Sequence, residues 1–137
     1  MTESHPATVR CVGGILHDAI GRLLLVRRAN APGEGLWSIP GGRVERDETD
    51  EQALTRELLE ETGLSVTVGP LAGSVTRPFK NGVFLIFDYT CQVSGGVLRA
   101  GDDASDARWV DSAMLTTLPL TEGLLEALSS WQCLPRT

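Results

Sequence analysis

The sequence predicts an α+β fold or a three-layer sandwich, and not an alternating βαβ protein. Short β-branched and apolar runs recur along the 137 residues, whereas only one central and one C-terminal segment have the composition of helices. With 42% apolar and 22% charged residues, the chain can bury a core without a disulfide scaffold. We therefore expect a single domain over residues 1–137, with residues 1–6 and 132–137 loose at its ends.

The first half of the chain contains three predicted strands. Residues 8–16 and 22–28 are apolar runs separated by a turn at 17–21, which predicts a strand–turn–strand hairpin. Residues 30–35 form a loop rich in turn formers. The short apolar strand 36–39 follows and is stopped by Pro40, Gly41 and Gly42.

The central helix is predicted over residues 50–62 because both of its ends are marked. Thr49 is a suitable N-cap, and Gln52 stands three residues later to complete a capping box. Asp50 and Glu51 place negative charge in the first turn. Gly63 stands where a left-handed C-terminal cap belongs.

The second half predicts further strands and a last helix. Residues 64–68, 83–91 and 107–110 have strand patterns, and Gly95 and Gly96 form a turn. Thr121 is expected to cap a C-terminal helix with one apolar face, made by Leu124, Leu125 and Leu128.

Composition excludes several classes of function. Twelve basic against eighteen acidic residues leave a net charge of −6, which disfavours binding to a nucleic-acid polymer. The sole lysine, Lys80, is followed by Asn81, so no Walker-A loop is present. No apolar stretch reaches the ~20 residues of a membrane helix, and residues 1–8 show no secretory signal. Three cysteines without a CxxC pair are typical of reduced thiols, so we expect a cytoplasmic protein.

Eight of the eighteen acidic residues lie between Glu45 and Glu61. On a helix, Glu57, Glu60 and Glu61 share one face at spacings where like charges repel. Arg56 is the sole basic residue from 49 to 62 and can serve at most one side of this cluster. A solvated helix face is the ordinary alternative. Three uncompensated carboxylates are, however, the ligands that Mg²⁺ prefers, so we interpret the cluster as a metal site.

Residues 42–64 resemble the Nudix box. The family pattern is Gly, five residues, Glu, seven residues, Arg-Glu, an aliphatic residue, any residue, Glu-Glu, any residue, Gly and an aliphatic residue. Nine positions match it without a gap: Gly42, Glu48, Arg56, Glu57, Leu58, Glu60, Glu61, Gly63 and Leu64. The lead-in at residues 37–42 and the strand at 107–110 also resemble bacterial members of the family.

The resemblance implies an αβα-sandwich with a mixed central β-sheet, and hydrolysis of a diphosphate linkage with Mg²⁺ or Mn²⁺. Carried over by position, the metal set is Glu57, Glu61, Glu60, the carbonyl of Gly41 and Asp103, with Asp102 and Asp106 as alternatives to Asp103. The implied catalytic set is Glu57, Glu60, Arg56 and Glu48, of which Arg56 and Glu48 orient the helix. Glu57 is our first choice as the general base and Glu60 the second.

Five further residues are candidates for substrate binding, each with an ordinary alternative. Trp37 stacks on a base or belongs to the core. Phe79 and Lys80 touch the base or a phosphate, or lie on an exposed hairpin. Arg27 and Arg28 meet a substrate phosphate or serve solubility.

The box supplies the reaction but not the substrate. We rank first a nucleoside triphosphate, canonical or oxidised, cleaved to nucleoside monophosphate and pyrophosphate. ADP-ribose or another nucleotide sugar is the alternative, and a non-catalytic, nucleotide-sensing domain is the alternative of another class. We expect a small nucleotide as the partner, with no nucleic-acid polymer and no membrane, and a homodimer remains open.

Overall fold

The architecture is known from a computed structural model that describes residues 7–31, 33–101 and 103–137. Its elements, in chain order, are β1 (Ala7–Leu16), β2 (Leu23–Arg28), β3 (Trp37–Ser38), β4 (Gly41–Arg43), α1 (Asp50–Thr62), β5 (Leu64–Phe79), β6 (Gly82–Gly96), β7 (Ala104–Val110), α2 (Ser112–Leu115) and α3 (Leu124–Ser130). Within these ranges, no helix is long and apolar enough to cross a membrane. The loose N-terminal end expected at residues 1–6 lies outside the described residues.

Two sheets form the central layer. One has the strand order β4-β1-β6-β5, with β1 and β6 parallel and the other pairs antiparallel, and the other has the order β3-β2-β7. Helix α1 packs on one face in a cluster with Val12, Leu16 and Leu24. Helix α3 and the end of α2 pack on the opposite face in a second cluster, which includes Ile15 and Leu25. This arrangement confirms the αβα-sandwich with a mixed sheet.

The predicted hairpin between the first two strands is wrong. Strand β1 pairs along its whole length with β6 and, on its other side, with β4. Strand β2 belongs to the other sheet, and a single bridge from His17 to Leu23 joins the two strands. The apolar pattern that predicts each strand is local, whereas the choice of neighbour depends on residues far away in the chain.

Helix α1 is confirmed with both of its caps. The Gln52 amide donates to Thr49 Oγ1 at 3.1 Å, and the Thr49 amide donates to Gln52 Oε1 at 2.9 Å. Gly63 ends the helix at φ 73°, in the left-handed region that favours glycine. Leu54 and Leu58 are fully buried against the sheet, so the opposite side of α1 is presented away from the core.

Helix α3 differs from its prediction. It begins at Leu124, and its N-cap is Gly123 in a left-handed conformation instead of Thr121. Leu124 and Leu128 are buried, but Leu125 is 45% exposed and does not belong to the packed face.

The C-terminal residues 132–137, which the sequence predicts to be loose, contact the rest of the fold. The Arg136 amide donates to the Gly21 carbonyl at 2.8 Å, and Cys133 is buried. The turn between β1 and β2 therefore holds residues 132–137 in place. Strands β5 and β6 run longer than predicted, so Gly95 and Gly96 end β6 as strand residues; β4 and α2 were not predicted.

Asp88 is a buried carboxyl on β6. It is 5% exposed, and its Oδ1 has no hydrogen-bond partner among the described residues. Burial raises the pKa of Asp88 to about 6, although the charge of Arg77 acts in the opposite direction. Ionised Asp88 therefore destabilises the folded chain relative to the unfolded one.

Replacing Asp88 should change the pH dependence of stability. Because the pKa of Asp88 is raised in the folded state, the free energy of unfolding is highest below the pKa of the unfolded state. It falls as the pH rises through about 6. Since each pH unit between the two pKa values is worth about 1.4 kcal/mol, Asp88→Asn should gain about 2 to 3 kcal/mol on the wild type between pH 4 and pH 8. Urea unfolding at both pH values measures this difference. A difference independent of pH would contradict the burial of an ionisable Asp88.

Candidate active site

A cleft of about 460 Å³ opens between β2 and β3 of one sheet and β4 of the other. Helix α1 contributes acidic side chains to it, and the loop after β2 and the segment before β7 complete the wall. Its lining residues are Val26, Arg28, Asn30, Ala31, Ser38, Ile39, Gly41, Gly42, Arg43, Glu45, Glu57, Glu61 and Asp103. Anionic and cationic groups thus share one cavity.

Glu57 and Glu61 form a buried pair of carboxyl groups, one helical turn apart on α1. Glu61 is 8% exposed, and the Glu57 side chain is 14% exposed. Burial raises the pKa of both, and the neighbouring Glu57 raises that of Glu61 further. Two like charges this close are unfavourable without a cation or a shared proton.

Two glycines bring backbone directly against this pair. The Gly41 amide faces Glu61 Oε1 at 3.4 Å. A Cβ on Gly42 would lie 2.5–2.6 Å from the carboxylate atoms of Glu57, so any other residue would displace that carboxylate. Gly42 therefore permits Glu57 to meet the edge of β4, whereas at Gly41 a Cβ would meet the Val12 carbonyl of β1.

Arg56 compensates more of the acidic cluster than predicted, so the expectation of uncompensated carboxylates is wrong. It binds Glu48 through two hydrogen bonds, from Nε at 2.8 Å and from Nη2 at 2.9 Å. Its Nη1 also donates to Glu57 Oε1 at 2.8 Å and to Glu60 Oε2 at 3.3 Å. The guanidinium lowers the pKa of Glu48 to about 2 and has its own pKa raised by the carboxylates. A planar guanidinium can serve several carboxylates because it carries five donors.

Glu60 lies apart from the buried pair. Its side chain is 43% exposed, contacts Arg56 and does not line the cleft. In the part of the chain that the structure describes, no group of three or more His, Cys, Asp or Glu side chains is assembled around one point. The three-glutamate cluster inferred from spacing is thus a pair, Glu57 and Glu61, with Glu60 on the solvent side.

Asp103 brings a third carboxylate to the rim of the cleft. Its Oδ1 accepts from Asn30 Nδ2 at 3.1 Å, and its charge contributes to the raised pKa of Glu61. Asp106 instead binds Arg108 at 2.9 Å and does not line the cleft. Asp102 lies outside the described residues. A hard divalent cation prefers oxygen ligands, and the carboxylates of Glu57, Glu61 and Asp103 line this cleft. The residues present therefore fit a metal site.

Of the five predicted substrate-binding residues, the structure brings Arg28 alone into the cleft lining. Arg27 donates to Ser105 Oγ at 2.8 Å, and Trp37 is 5% exposed in the core, as its alternative interpretation had it. Phe79 packs on Phe84 with ring centroids 4.5 Å apart, and Lys80 follows it in the turn.

Sequence reasoning missed several residues of the cleft wall. Arg43 and Glu45 follow Gly42 inside the matched motif, and that position could have marked them. Asn30, Ser38 and Ile39 carry no sequence signal: Ser38 reaches the cleft through the pairing of β2 with β3, and Asn30 and Ile39 lie in the segments that follow these strands.

Comparison with known protein families shows which family this chain, with its acidic cleft, belongs to. The sequence model of the NUDIX domain matches residues 7–130, which is most of the chain. The chain belongs to the Nudix hydrolase family. The Glu57–Glu61 pair, Arg56 and Glu48 lie within the segment that first suggested this family.

Curated relatives differ in their named substrates. The chain is 40% identical over 117 residues to a Methanocaldococcus jannaschii ADP-ribose pyrophosphatase, covering 84% of this chain and 66% of the relative. It is 36% identical over 96 residues to a putative 8-oxo-dGTP diphosphatase of Bacillus subtilis, covering 69% and 60%. The chain thus spans about two thirds or less of the length of these relatives.

Solved structures agree with the Nudix fold. A MutT protein from Methanosarcina mazei superimposes with a TM-score of 0.81 at 21% identity, over 96% of both chains. The NUDIX domain of Shewanella oneidensis NrtR, solved with ADP ribose, superimposes with a TM-score of 0.76 at 27% identity, over 93% of this chain and 88% of that one.

A divalent cation should stabilise this Nudix domain through Glu57 and Glu61. Since binding to the folded state alone raises stability, Mg²⁺ or Mn²⁺ should raise the Tm of the wild type. Glu57→Gln and Glu61→Gln relieve the repulsion but lose a charged ligand, so their Tm without metal should hold or rise while the metal-dependent increase disappears. Differential scanning fluorimetry with and without EDTA measures both effects. An equal metal response in all three proteins would contradict the assignment.

Arg56→Lys should lower activity because Glu57 is no longer held in position. Lysine keeps the charge but cannot make the paired hydrogen bonds to Glu48 while also holding Glu57. We expect kcat to fall by about tenfold or more and KM to change little, since the loss of orientation acts on the chemical step. Arg46→Lys is the matched control because Arg46 is exposed in the preceding loop. Similar kinetics for both variants would show that the Arg56 network has no catalytic role.

Proposed function

We propose that this chain hydrolyses a diphosphate linkage in a small nucleotide with a divalent metal ion. The observation that carries the proposal is the buried Glu57–Glu61 pair, because it lies in a cleft that also contains Arg28 and Arg43. An acidic cavity would repel a diphosphate unless a cation reversed the local charge. Nudix hydrolases generally use divalent metal ions, which supports the same conclusion.

Glu57 and Glu61 would hold the cation, with the Gly41 carbonyl and Asp103 as further oxygen donors. Bound there, the cation supplies neutralisation of the diphosphate charge and activation of water. Glu57 is the favoured general base: it lines the cleft, and Arg56 fixes its Oε1 at 2.8 Å. Glu60, the second choice, is directed toward Arg56 and solvent. Arg28 and Arg43 face the cleft, where they would bind the phosphates.

We propose a nucleoside triphosphate, canonical or oxidised, as the substrate. A cavity of about 460 Å³ suits a small nucleotide. Relatives named 8-oxo-dGTP diphosphatase and CTP pyrophosphohydrolase, the latter 38% identical over 81 residues and from Escherichia coli, support this class. The products would be a nucleoside monophosphate and pyrophosphate, released into the cytoplasm.

ADP-ribose is the second candidate. A specific observation favours it: the relative at 40% identity is named an ADP-ribose pyrophosphatase. Hydrolysis would then leave AMP and ribose 5-phosphate, so the two candidates differ in their products.

Product analysis tests the reaction and the substrate together. The purified protein with Mg²⁺ or Mn²⁺ is incubated with the common nucleoside triphosphates, 8-oxo-dGTP and ADP-ribose, and kcat/KM is determined for each. Glu57→Gln should lose about 10²-fold or more in rate because a ligand or base is removed. Glu51→Gln, on the exposed first turn of the same helix, should keep the wild-type rate.

Three outcomes decide the proposal. Nucleotide binding without turnover under either metal would favour a sensor over an enzyme. Equal rates for Glu57→Gln and Glu51→Gln would contradict the site. ADP-ribose preferred by more than about tenfold, which is ~1.4 kcal/mol of differential transition-state binding, would replace the triphosphate as substrate.

A further inference from the structure

Four residues lie side by side across the larger sheet and form what we call the glycine row. Strand pairing joins Gly41 to Gly13, Gly13 to Asp88, and Asp88 to Gly73. Gly13 is two residues before Ile15 on β1, so the side of Asp88 is the face that α3 covers. Three of the four members are glycines, so Asp88 alone contributes a side chain to this row.

The Asp88 carboxyl leans along this row toward the catalytic cleft. A Cβ on Gly13 would lie 2.2 Å from Asp88 Oδ1, so that oxygen occupies the space above Gly13. Gly41 is the neighbour of Gly13 on the next strand, about 5 Å away. Gly41 also lines the cleft and faces Glu61. The free oxygen is therefore one strand from the site of the proposed chemistry.

This oxygen has nothing to bind within the described chain. Asp88 is 5% exposed, and Oδ1 is fully enclosed without a hydrogen-bond partner. Native proteins rarely keep a buried polar atom unpaired, because its lost hydration is not replaced. A buried acceptor of this kind, one strand from a cleft, is a candidate partner for a ligand that supplies the donor.

Asp88 lies between an aliphatic and an aromatic side chain. Ile39 lines the cleft, and its Cδ1 comes within 3.0 Å of the same position above Gly13. On the other side, the Trp131 indole covers Gly73 so closely that a Cβ there would lie 2.2 Å from the ring. Aliphatic and aromatic walls around one or two polar groups are typical of pockets for small molecules.

The charged groups near the glycine row indicate which chemical group of a ligand would bind there. A carboxyl repels phosphate but accepts well from an amino group, as Asp and Glu do from the N4 amino group of cytosine. The positive charge of Arg77 acts on the same carboxyl, and this guanidinium can donate to a carbonyl or ring nitrogen. An amino group beside a carbonyl or ring nitrogen is the pattern on the hydrogen-bonding edge of an amino-bearing base.

We propose that Asp88 determines base specificity by accepting a hydrogen bond from an exocyclic amino group of the substrate's nucleobase. This inference rests on the proposed function, because it places the diphosphate at Glu57 and Glu61 and the base along the glycine row. The base reaches Oδ1 by displacing the Ile39 side chain, which is partly exposed.

Binding of nucleoside monophosphates tests the proposal without requiring hydrolysis. Calorimetric titrations compare CMP with UMP, GMP with IMP, and AMP with IMP. IMP lacks the amino group of GMP, whereas UMP and IMP carry a carbonyl in place of the amino group of CMP and AMP. In at least one pair, the wild type should bind the amino-bearing nucleotide more tightly by about tenfold or more. The pair that shows the effect identifies whether the base is cytosine, guanine or adenine.

Variants of Asp88 then test whether this residue causes the difference in affinity within that pair. Asp88→Leu removes the acceptor at similar volume and should bring the affinity ratio of that pair close to one. Asp88→Asn keeps an Oδ1 acceptor and should retain more of the ratio. With the corresponding triphosphates, Asp88→Leu should raise KM far more than it lowers kcat, a split that a purely structural role would not produce. If Asp88→Leu fails to fold, Asp88→Ala removes the same acceptor and carries the same expectation.

The outcomes separate this inference from the proposed function. Equal wild-type affinity within every pair, or an unchanged ratio in Asp88→Leu, would overturn the role of Asp88 even if triphosphates are hydrolysed. Discrimination that depends on Asp88 in a protein without hydrolytic activity would support the role of Asp88 and reject the enzyme.

Discussion

The burial of two like-charged groups, Glu57 and Glu61, is the constraint on which the rest of the site depends. Burial opposes ionisation of both carboxyls, and the neighbouring Glu57 further opposes ionisation of Glu61. Such a pair is maintained when the fold holds both side chains in place and when a cation offsets their negative charge. The neighbouring groups hold the pair in place: Arg56 restrains Glu57, Gly42 leaves space for the Glu57 carboxylate at the edge of β4, and the Gly41 amide contacts Glu61.

Helix α1 holds the pair because it is fixed at its start, along one face and at its end. At the start, Arg10 of β1 binds Asp50 through two hydrogen bonds of 2.7 and 2.8 Å, and Tyr89 of β6 donates to the same carboxylate. Along the face, Leu54 and Leu58 are fully buried. At the end, the left-handed Gly63 stops the helix one residue after the buried Thr62. A helix held at all these points has little freedom to rotate its acidic face away from the cleft.

The sheet supplies a second buried carboxyl with a different character. Glu61 has a charged neighbour on its own helix, whereas Asp88 has an enclosed oxygen over Gly13 and no partner among the described residues. A buried unpaired carboxyl lowers the stability of a fold, and such groups concentrate at sites of binding or catalysis. Strand pairing places Asp88 beside Gly13 and Gly13 beside Gly41, whose amide contacts Glu61, so the two carboxyls lie near neighbouring strands of the β4-β1-β6 sheet.

The sequence by itself determined what depends on local spacing. The capping box of Thr49 and Gln52, the glycine at the helix end and the common face of Glu57 and Glu61 were all predicted, because neighbours on a helix are three or four residues apart. The family and its sandwich fold followed from nine positions within residues 42–64, and most strands followed from their apolar runs.

Only the tertiary structure decided which distant groups meet. It separated β1 and β2 into different sheets, directed Glu60 to Arg56 and solvent, and left Arg28 as the one predicted substrate residue in the cleft lining. It also brought Asp88 beside Gly13, although the two are 75 positions apart in the sequence. Strand order and side-chain burial arise from packing between segments that are remote in the chain, and a local pattern carries no record of that packing.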